Sequence, residues 1–123
     1  MEDQSAMTEI EMKQRTKAFA LRVIKLVNSL SRELVARRLG DQLLRSGTSV
    51  GANYRAVCRA RSKADFINKL GIVEEEADES AFWMELLIES GLVPQCRLEK
   101  LLDEANQLTA IMVASRKSTS GAH

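Results

Sequence analysis

The feature that most constrains the fold of this chain is a pair of complementary helical segments between Gln42 and Trp83. The first segment carries polar side chains and the second carries acids, each at spacings that fall on one side of an α-helix. If a turn at 61–62 folds the segments back antiparallel, the numbers of facing residues sum to about 124. This register sets Arg45 opposite Glu79 and Ser49 opposite Glu75.

The facing polar side chains predict a network between the two helices. They flank the apolar faces, so we expect them to be half-buried and hydrogen-bonded to one another. Removing one partner of a buried Arg–carboxylate pair costs about 3–5 kcal/mol, so such a network would fix the helix register. A catalytic or ligand-binding role is the weaker alternative, because no histidine lies nearby in the sequence. The predicted buried network consists of Gln42, Arg45, Ser49, Asn53, Glu76 and Glu79.

Apolar periodicity predicts four helices, at about residues 8–30, 33–61, 62–90 and 94–115, followed by a polar tail at 116–123 that we expect to fray. Ser62 is a good N-cap, with Asp65 at the position of a short capping box. Gly91 is a plausible C-cap, and Pro94 opens the last helix. The period-2 alternation of a strand is missing. We therefore predict a single all-α domain over 1–123, an antiparallel up-down-up-down four-helix bundle.

Composition and local sequence patterns predict the cellular location of this domain and the state of its cysteines. A hydrophobic content of 45% with 28% charged residues is typical of a soluble helical protein. The first residues lack a signal-peptide pattern, and no stretch approaches the roughly 18 apolar residues of a membrane span, so we expect a cytoplasmic protein. Cys58 and Cys96 form no CxxC motif, which favours free buried thiols over a disulfide or a metal pair.

Charge is distributed unevenly along the chain. Residues 1–63 hold most of the lysines and arginines, whereas 64–123 hold most of the acids. Either the basic helices pack beside acidic ones, within a protomer or across a homo-oligomer, or a basic surface faces nucleic acid. Few aromatic residues accompany the cations, so contacts to phosphates are expected rather than base stacking. The predicted nucleic-acid-binding residues are Arg37, Arg38, Arg55, Arg59, Arg61 and Lys63.

Two further patterns indicate self-association. Ile72, Phe82, Trp83 and Leu86 lie away from the apolar seam of the third helix, so a lone bundle would expose them. The second helix gathers its glycines on one side, which permits close backbone approach. Packing within the protomer is the alternative explanation of both patterns.

Enzymatic chemistry has little support in the sequence. The only histidine is His123, and the chain has neither a phosphate-binding glycine loop nor an HExxH motif. We predict a protein that is not an enzyme and that uses no cofactor and no metal.

Three runs carry a resemblance to a known family: Gln42–Ala56, Arg61–Ile72 and Glu76–Leu87. Together they closely resemble the bacterial four-helix-bundle family of 23S ribosomal RNA intervening-sequence proteins, over about residues 12–115. The resemblance implies an antiparallel four-helix bundle that commonly assembles as a ring-shaped homopentamer and has no established enzymatic activity. The chain departs from the family pattern at Ala56, where an acid is more common.

A more distant likeness is to the accessory protein of diversity-generating retroelements, which forms a similar pentamer and binds a reverse transcriptase and nucleic acid. Together with the basic residues, these resemblances predict a homo-oligomeric scaffold that engages RNA or an RNA-handling protein. The alternative is a protein–protein adaptor with no role in nucleic-acid binding.

Overall fold

A computed structural model describes residues 8–121, and these form four α-helices and no strand. The helices are α1 (Glu9–Asn28), α2 (Leu34–Val57), α3 (Lys63–Glu89) and α4 (Gln95–Ser120). They pack against one another as a bundle, which confirms the predicted all-α class. Within the described range, none of them combines the length and the apolarity that a bilayer crossing requires.

The helices pack in sequence order. α2 makes extensive contacts with α1 and α3, α3 makes extensive contacts with α4, and the contact between α1 and α4 is smaller. Three glycines bring α2 close to α1: Gly40 faces Val27 and Leu30, Gly47 faces Val23, and Gly51 faces Thr16. Residue numbers along α1 therefore fall as those along α2 rise.

Local hydrogen bonds set the helix starts. At α1, Thr8 and Glu11 form a reciprocal capping box. At α3, the Ser62 hydroxyl accepts a hydrogen bond from the Asp65 amide at 3.0 Å, as the sequence predicts. The Asp65 carboxylate accepts instead from the Arg61 amide, one residue before the cap, also at 3.0 Å. The Lys69 ammonium, and after it this amide, lowers the pKa of Asp65.

Two predicted helix ends are corrected. α2 ends at Val57 rather than at 61, because the amides of Arg59 and Ala60 turn back to carbonyls three residues earlier and tighten the last turn. α4 continues to Ser120, so fraying from residue 116 is wrong. The Arg116 guanidinium pairs with Glu74 of α3 at 3.0 Å, and Gly121 closes the helix in the left-handed conformation with φ 78°. The predicted tail at 122–123 and the domain segment 1–7 lie outside the described residues.

The bundle encloses one continuous apolar core with members from all four helices. Its largest fully buried side chains include Phe19, Leu43, Leu70, Met84 and Leu108. The two cysteines are free, but Cys96 is exposed and Cys58 is only half-buried, so the prediction that both are buried is wrong. Both lie at helix ends: Cys58 caps α2 and packs against the edge of the core, and Cys96 is in the first turn of α4.

Candidate nucleic-acid interface

Arg45 links α2 to α3 as the sequence predicts. Its guanidinium pairs with the Glu79 carboxylate and lies 3.4 Å from the Glu76 carboxylate, and the Trp83 indole donates a hydrogen bond to Glu79 at 3.4 Å. The side chain of Arg45 is nevertheless 51% exposed. The prediction of a buried network is therefore wrong for Arg45, because its long side chain spans the helices along the outside of the bundle.

The other predicted network members lie at the same surface. Gln42 is exposed, and Ser49 and Asn53 are half-buried. The Ser49 hydroxyl donates to the Arg45 carbonyl at 2.7 Å, and the Asn53 amide donates to the Ser49 carbonyl at 2.8 Å, so both bond their own helix. Glu75, the predicted partner of Ser49, is exposed.

The buried polar contact between α2 and α3 is a pair of serines. The Ser80 hydroxyl donates to the Ser46 hydroxyl at 3.0 Å, and both side chains are fully buried. The Ser46 hydroxyl donates to the Leu43 carbonyl, and the Glu76 carbonyl, 2.8 Å from the Ser80 hydroxyl, is a second acceptor for the single Ser80 hydrogen, so neither hydroxyl lacks a partner. The signal in the sequence was a serine in each apolar seam at facing positions. This pair, rather than the predicted ionic network, is the polar contact inside the interface.

Glu76 titrates differently from an exposed glutamate. Burial raises the pKa of Glu76, and this outweighs the opposing effect of the Arg45 charge. The folded state therefore holds the Glu76 proton more tightly than the unfolded chain does. The ionised Glu76 carboxylate therefore lowers the free energy of unfolding at neutral pH. This lost stability is recovered as pH falls through the raised pKa and the carboxyl becomes protonated.

We expect Glu76→Gln to be more stable than the wild type at pH 7, with a gap that shrinks as pH is lowered. Urea unfolding of both proteins across a pH series measures the gap. Glu75→Gln is the matched control, since Glu75 is exposed and one residue away. A variant that is less stable than the wild type by a constant amount at every pH would contradict this account.

The six predicted nucleic-acid-binding cations are all exposed, but they do not form one patch. Arg37 and Arg55 lie on the same side of α2, about 27 Å apart at a rise of about 1.5 Å per residue. Arg37 and Arg38 are near the start of α2, and Arg37 borders a groove that also contains Asp41. The other four predicted cations lie near its end, in the turn to α3 or at the first position of α3: Arg55, Arg59, Arg61 and Lys63.

Arg59 and Arg61 share a groove with Asp65 and Lys69. The Asp65 carboxylate there bonds both the Lys69 ammonium, at 2.6 Å, and the Arg61 backbone. An acid therefore offsets part of the positive charge of this groove.

Arg55 lies in a different setting, a groove between α1 and α2. The groove is lined by Lys13 and Lys17 of α1 and by Gly51, Ala52 and Arg55 of α2. No acid lines it, and none of its three cations forms an ion pair with an acid of residues 8–121. Gly51 and Ala52, which have no long side chains, form the floor of the groove between these cations. We call this site the Lys13–Arg55 groove.

The two lysines of this groove were missed by sequence reasoning. Lys13 and Lys17 flank Thr16, which lies against Gly51. The glycines on one side of α2 indicated close approach of a neighbour but did not identify α1 as that neighbour. If α1 had been placed against the glycine side of α2, the helical period would have predicted that its lysines lie beside Arg55.

The predicted oligomer surface is partly open. Ile72 is 45% and Phe82 50% exposed, whereas Trp83 and Leu86 are half-buried. The Phe82 and Trp83 rings contact each other edge to face, with centroids 5.1 Å apart. Neighbouring aromatic and aliphatic groups at the surface of a bundle mark an interaction site more often than isolated ones do.

The fold and the grooves define a class: an all-α four-helix protein with an acid-free cationic cleft between α1 and α2. The sequence profile of the 23S rRNA-intervening sequence proteins matches residues 8–114. This chain belongs to that family. No protein with a curated description matches it.

A crystal structure of a protein of unknown function from the S23 ribosomal protein family of Bacteroides thetaiotaomicron is similar to this chain. The two sequences are 35% identical, and the structures superpose with a TM-score of 0.81. The match covers 90% of this chain and 99% of the other. The predicted family resemblance is confirmed by both comparisons.

Proposed function

We propose that this protein is a non-enzymatic, cytoplasmic scaffold that assembles with copies of itself and binds RNA, alone or with an RNA-handling protein, through a basic surface. The observation that carries the RNA contact is the Lys13–Arg55 groove. Three cations from two helices line one cleft, and no acid is among its lining residues. Because the chain belongs to the family of 23S rRNA-intervening sequence proteins, we choose 23S rRNA as the RNA to test.

The expected contact is with the phosphate backbone. Lysine and arginine neutralise phosphates and release condensed counterions, which makes binding depend steeply on salt. The floor of Gly51 and Ala52 offers no aromatic ring for base stacking, so sequence-specific readout is not expected from this groove. Copies of the groove in an oligomer would raise the affinity further.

We expect the double substitution Lys13→Gln and Arg55→Gln to weaken binding to a structured 23S rRNA fragment. If each cation neutralises one phosphate, the slope of log affinity against log salt should become shallower by about 0.7–0.9 per cation removed. Fluorescence anisotropy across a salt series measures both the affinity and the slope.

The matched control is the double substitution Lys100→Gln and Lys117→Gln, which removes the same charge from exposed sites on α4. It should leave the slope near that of the wild type. Equal losses in both double variants would show that total charge alone matters, which contradicts a role for the groove.

The antiparallel up-down-up-down order of the helices is part of this proposal. Its support is the order of side-chain neighbours. Gly40 lies near Val27 and Gly51 near Thr16, while Arg15 bonds Glu104 and Arg22 borders Arg97. In both helix pairs, partner numbers fall along one helix as they rise along the other.

Self-assembly is proposed through the apolar surface at Ile72, Phe82, Trp83 and Leu86. We expect Phe82→Glu to dissociate the oligomer, because a charge would replace a half-exposed ring that a partner copy covers. Light scattering on a sizing column should give about five times the subunit mass of 13.7 kDa for the wild type, and a lower mass for the variant. The ring of five follows from the family resemblance.

Leu34→Glu is the matched control for this experiment, since Leu34 is 63% exposed but lies outside the proposed interface. It should leave the mass unchanged. A wild-type protein that elutes as a single subunit would rule out this part of the proposal.

The second candidate function is a protein–protein adaptor, which the exposed Phe82–Trp83 pair favours. In that case the wild type would show no salt-dependent affinity for RNA. Substitutions in the Lys13–Arg55 groove would then leave the affinity for RNA and its salt dependence unchanged.

A further inference from the structure

A second cationic groove lies on the other side of α1, between the last turns of α1 and the first turns of α4. It is lined by Arg22, Lys25 and Ser29 of the α1 region, by Arg97 of α4, and by an apolar floor of Leu26 and Leu101. No acid lines it, and none of the three cations pairs with an acid of residues 8–121. We call it the Arg22–Arg97 groove.

At the other end of the contact between α1 and α4, the positive charge of Arg15 is neutralised by an acid. Arg15 donates two hydrogen bonds to the Glu104 carboxylate, both at 2.8 Å, and a third to Gln107 at 2.8 Å. The chain therefore offsets positive charge between α1 and α4 where the contact is structural. Three like charges left together repel one another, and an anionic ligand would relieve that repulsion.

The start of α4 adds to the positive potential. Arg97 lies in the first turn of α4, and the N-cap residue Pro94 provides no side-chain cap for the helix amides. A helix N-terminus favours negative charge. The Ser29 hydroxyl hydrogen is already donated to the Leu26 carbonyl at 2.6 Å, so the donors available to a ligand are the two guanidinium groups and the ammonium.

We propose that the Arg22–Arg97 groove binds a phosphomonoester group, such as the terminal phosphate of a nucleic-acid strand. A phosphomonoester carries about −1.5 to −2 charges near neutral pH, which suits three cations better than the single charge of a phosphodiester. Two arginines supply the planar, bidentate donors that phosphate oxygens prefer. The leucine floor can contact the adjoining sugar or base. This site is separate from the Lys13–Arg55 groove and does not depend on it.

The test compares one short oligoribonucleotide with a 5′-phosphate and the same oligonucleotide with a 5′-hydroxyl, by fluorescence anisotropy on the full-length protein. We expect the wild type to prefer the phosphorylated strand by about tenfold, on the scale of two exposed charge contacts. Inorganic phosphate should compete away this preference. The double substitution Arg22→Gln and Arg97→Gln should abolish it.

Two controls separate this site from the proposed RNA contact. The Lys100→Gln, Lys117→Gln variant should retain the preference. The Lys13→Gln, Arg55→Gln variant should bind both strands more weakly but keep their ratio. A wild type that binds both strands equally would overturn the proposal, and so would a preference that survives in the Arg22→Gln, Arg97→Gln variant. If both strands lose affinity equally in that variant, the groove takes phosphodiesters, which also overturns the phosphomonoester assignment.

Discussion

Phe19→Ala is expected to lower the free energy of unfolding by about 3–5 kcal/mol, the range for removing a buried aromatic ring from a close-packed core. Phe19 has no exposed surface and sits midway along α1. α1 makes only a small contact with α4. α1 is therefore held in place mainly by its buried apolar face and by its packing against α2. A cavity at Phe19 therefore weakens the attachment of the helix that carries Lys13 and Lys17.

The matched control for Phe19→Ala is Leu21→Ala, on the same helix. Leu21 is 59% exposed, so its truncation should change the unfolding free energy by about 0.5 kcal/mol or less. Urea denaturation at one fixed protein concentration gives both values, because the stability of the proposed oligomer would depend on concentration. Similar losses in the two variants would show that α1 is not packed as described.

Gly47→Ala is expected to destabilise the protein although alanine is the better helix former. A methyl group at Gly47 would lie 2.8 Å from both γ carbons of Val23, whose branched side chain has little freedom to move in a helix. Overpacking of this kind costs about 1–3 kcal/mol, against a gain of about 1 kcal/mol in helix propensity. We therefore expect a net loss in the free energy of unfolding.

Gly71→Ala provides the comparison, because a methyl group at Gly71 would meet no atom within 4 Å. This substitution should stabilise α3 by up to about 1 kcal/mol. In addition, Gly47→Ala should cost less in a Val23→Ala background than in the wild type, since the smaller side chain leaves room for the new methyl group. Equal costs in the two backgrounds would mean that Val23 is not the neighbour that matters.

Much of the fold was predictable from the sequence. Helix periodicity and the facing positions of α2 and α3 were sufficient to place Arg45 beside Glu79. They could not predict how exposed the Arg45 side chain is, because its exposure depends on how closely the two helices approach each other. Arg45 and Glu79 do pair, as the predicted register requires, whereas Glu75, the predicted partner of Ser49, is exposed.

The errors have physical causes in tertiary contacts. The end of α4 looked frayed because its serines, threonines and lysines are polar, but the pairing of Arg116 with Glu74 extends the helix. The cationic grooves were missed because each joins residues of two helices whose side-by-side placement the sequence alone did not establish. Arg55 was identified, while Lys13, Lys17, Arg22 and Arg97 were not.

We propose that RNA contacts the surface shared by α1 and α2. Lysine acetylation of the protein with and without a 23S rRNA fragment, followed by mass spectrometry, tests it directly. We predict that RNA protects Lys13 and Lys17 from acetylation, while Lys100 and Lys117 react at the same rate in both samples. Equal reactivity of Lys13 and Lys17 with and without saturating RNA would contradict the account.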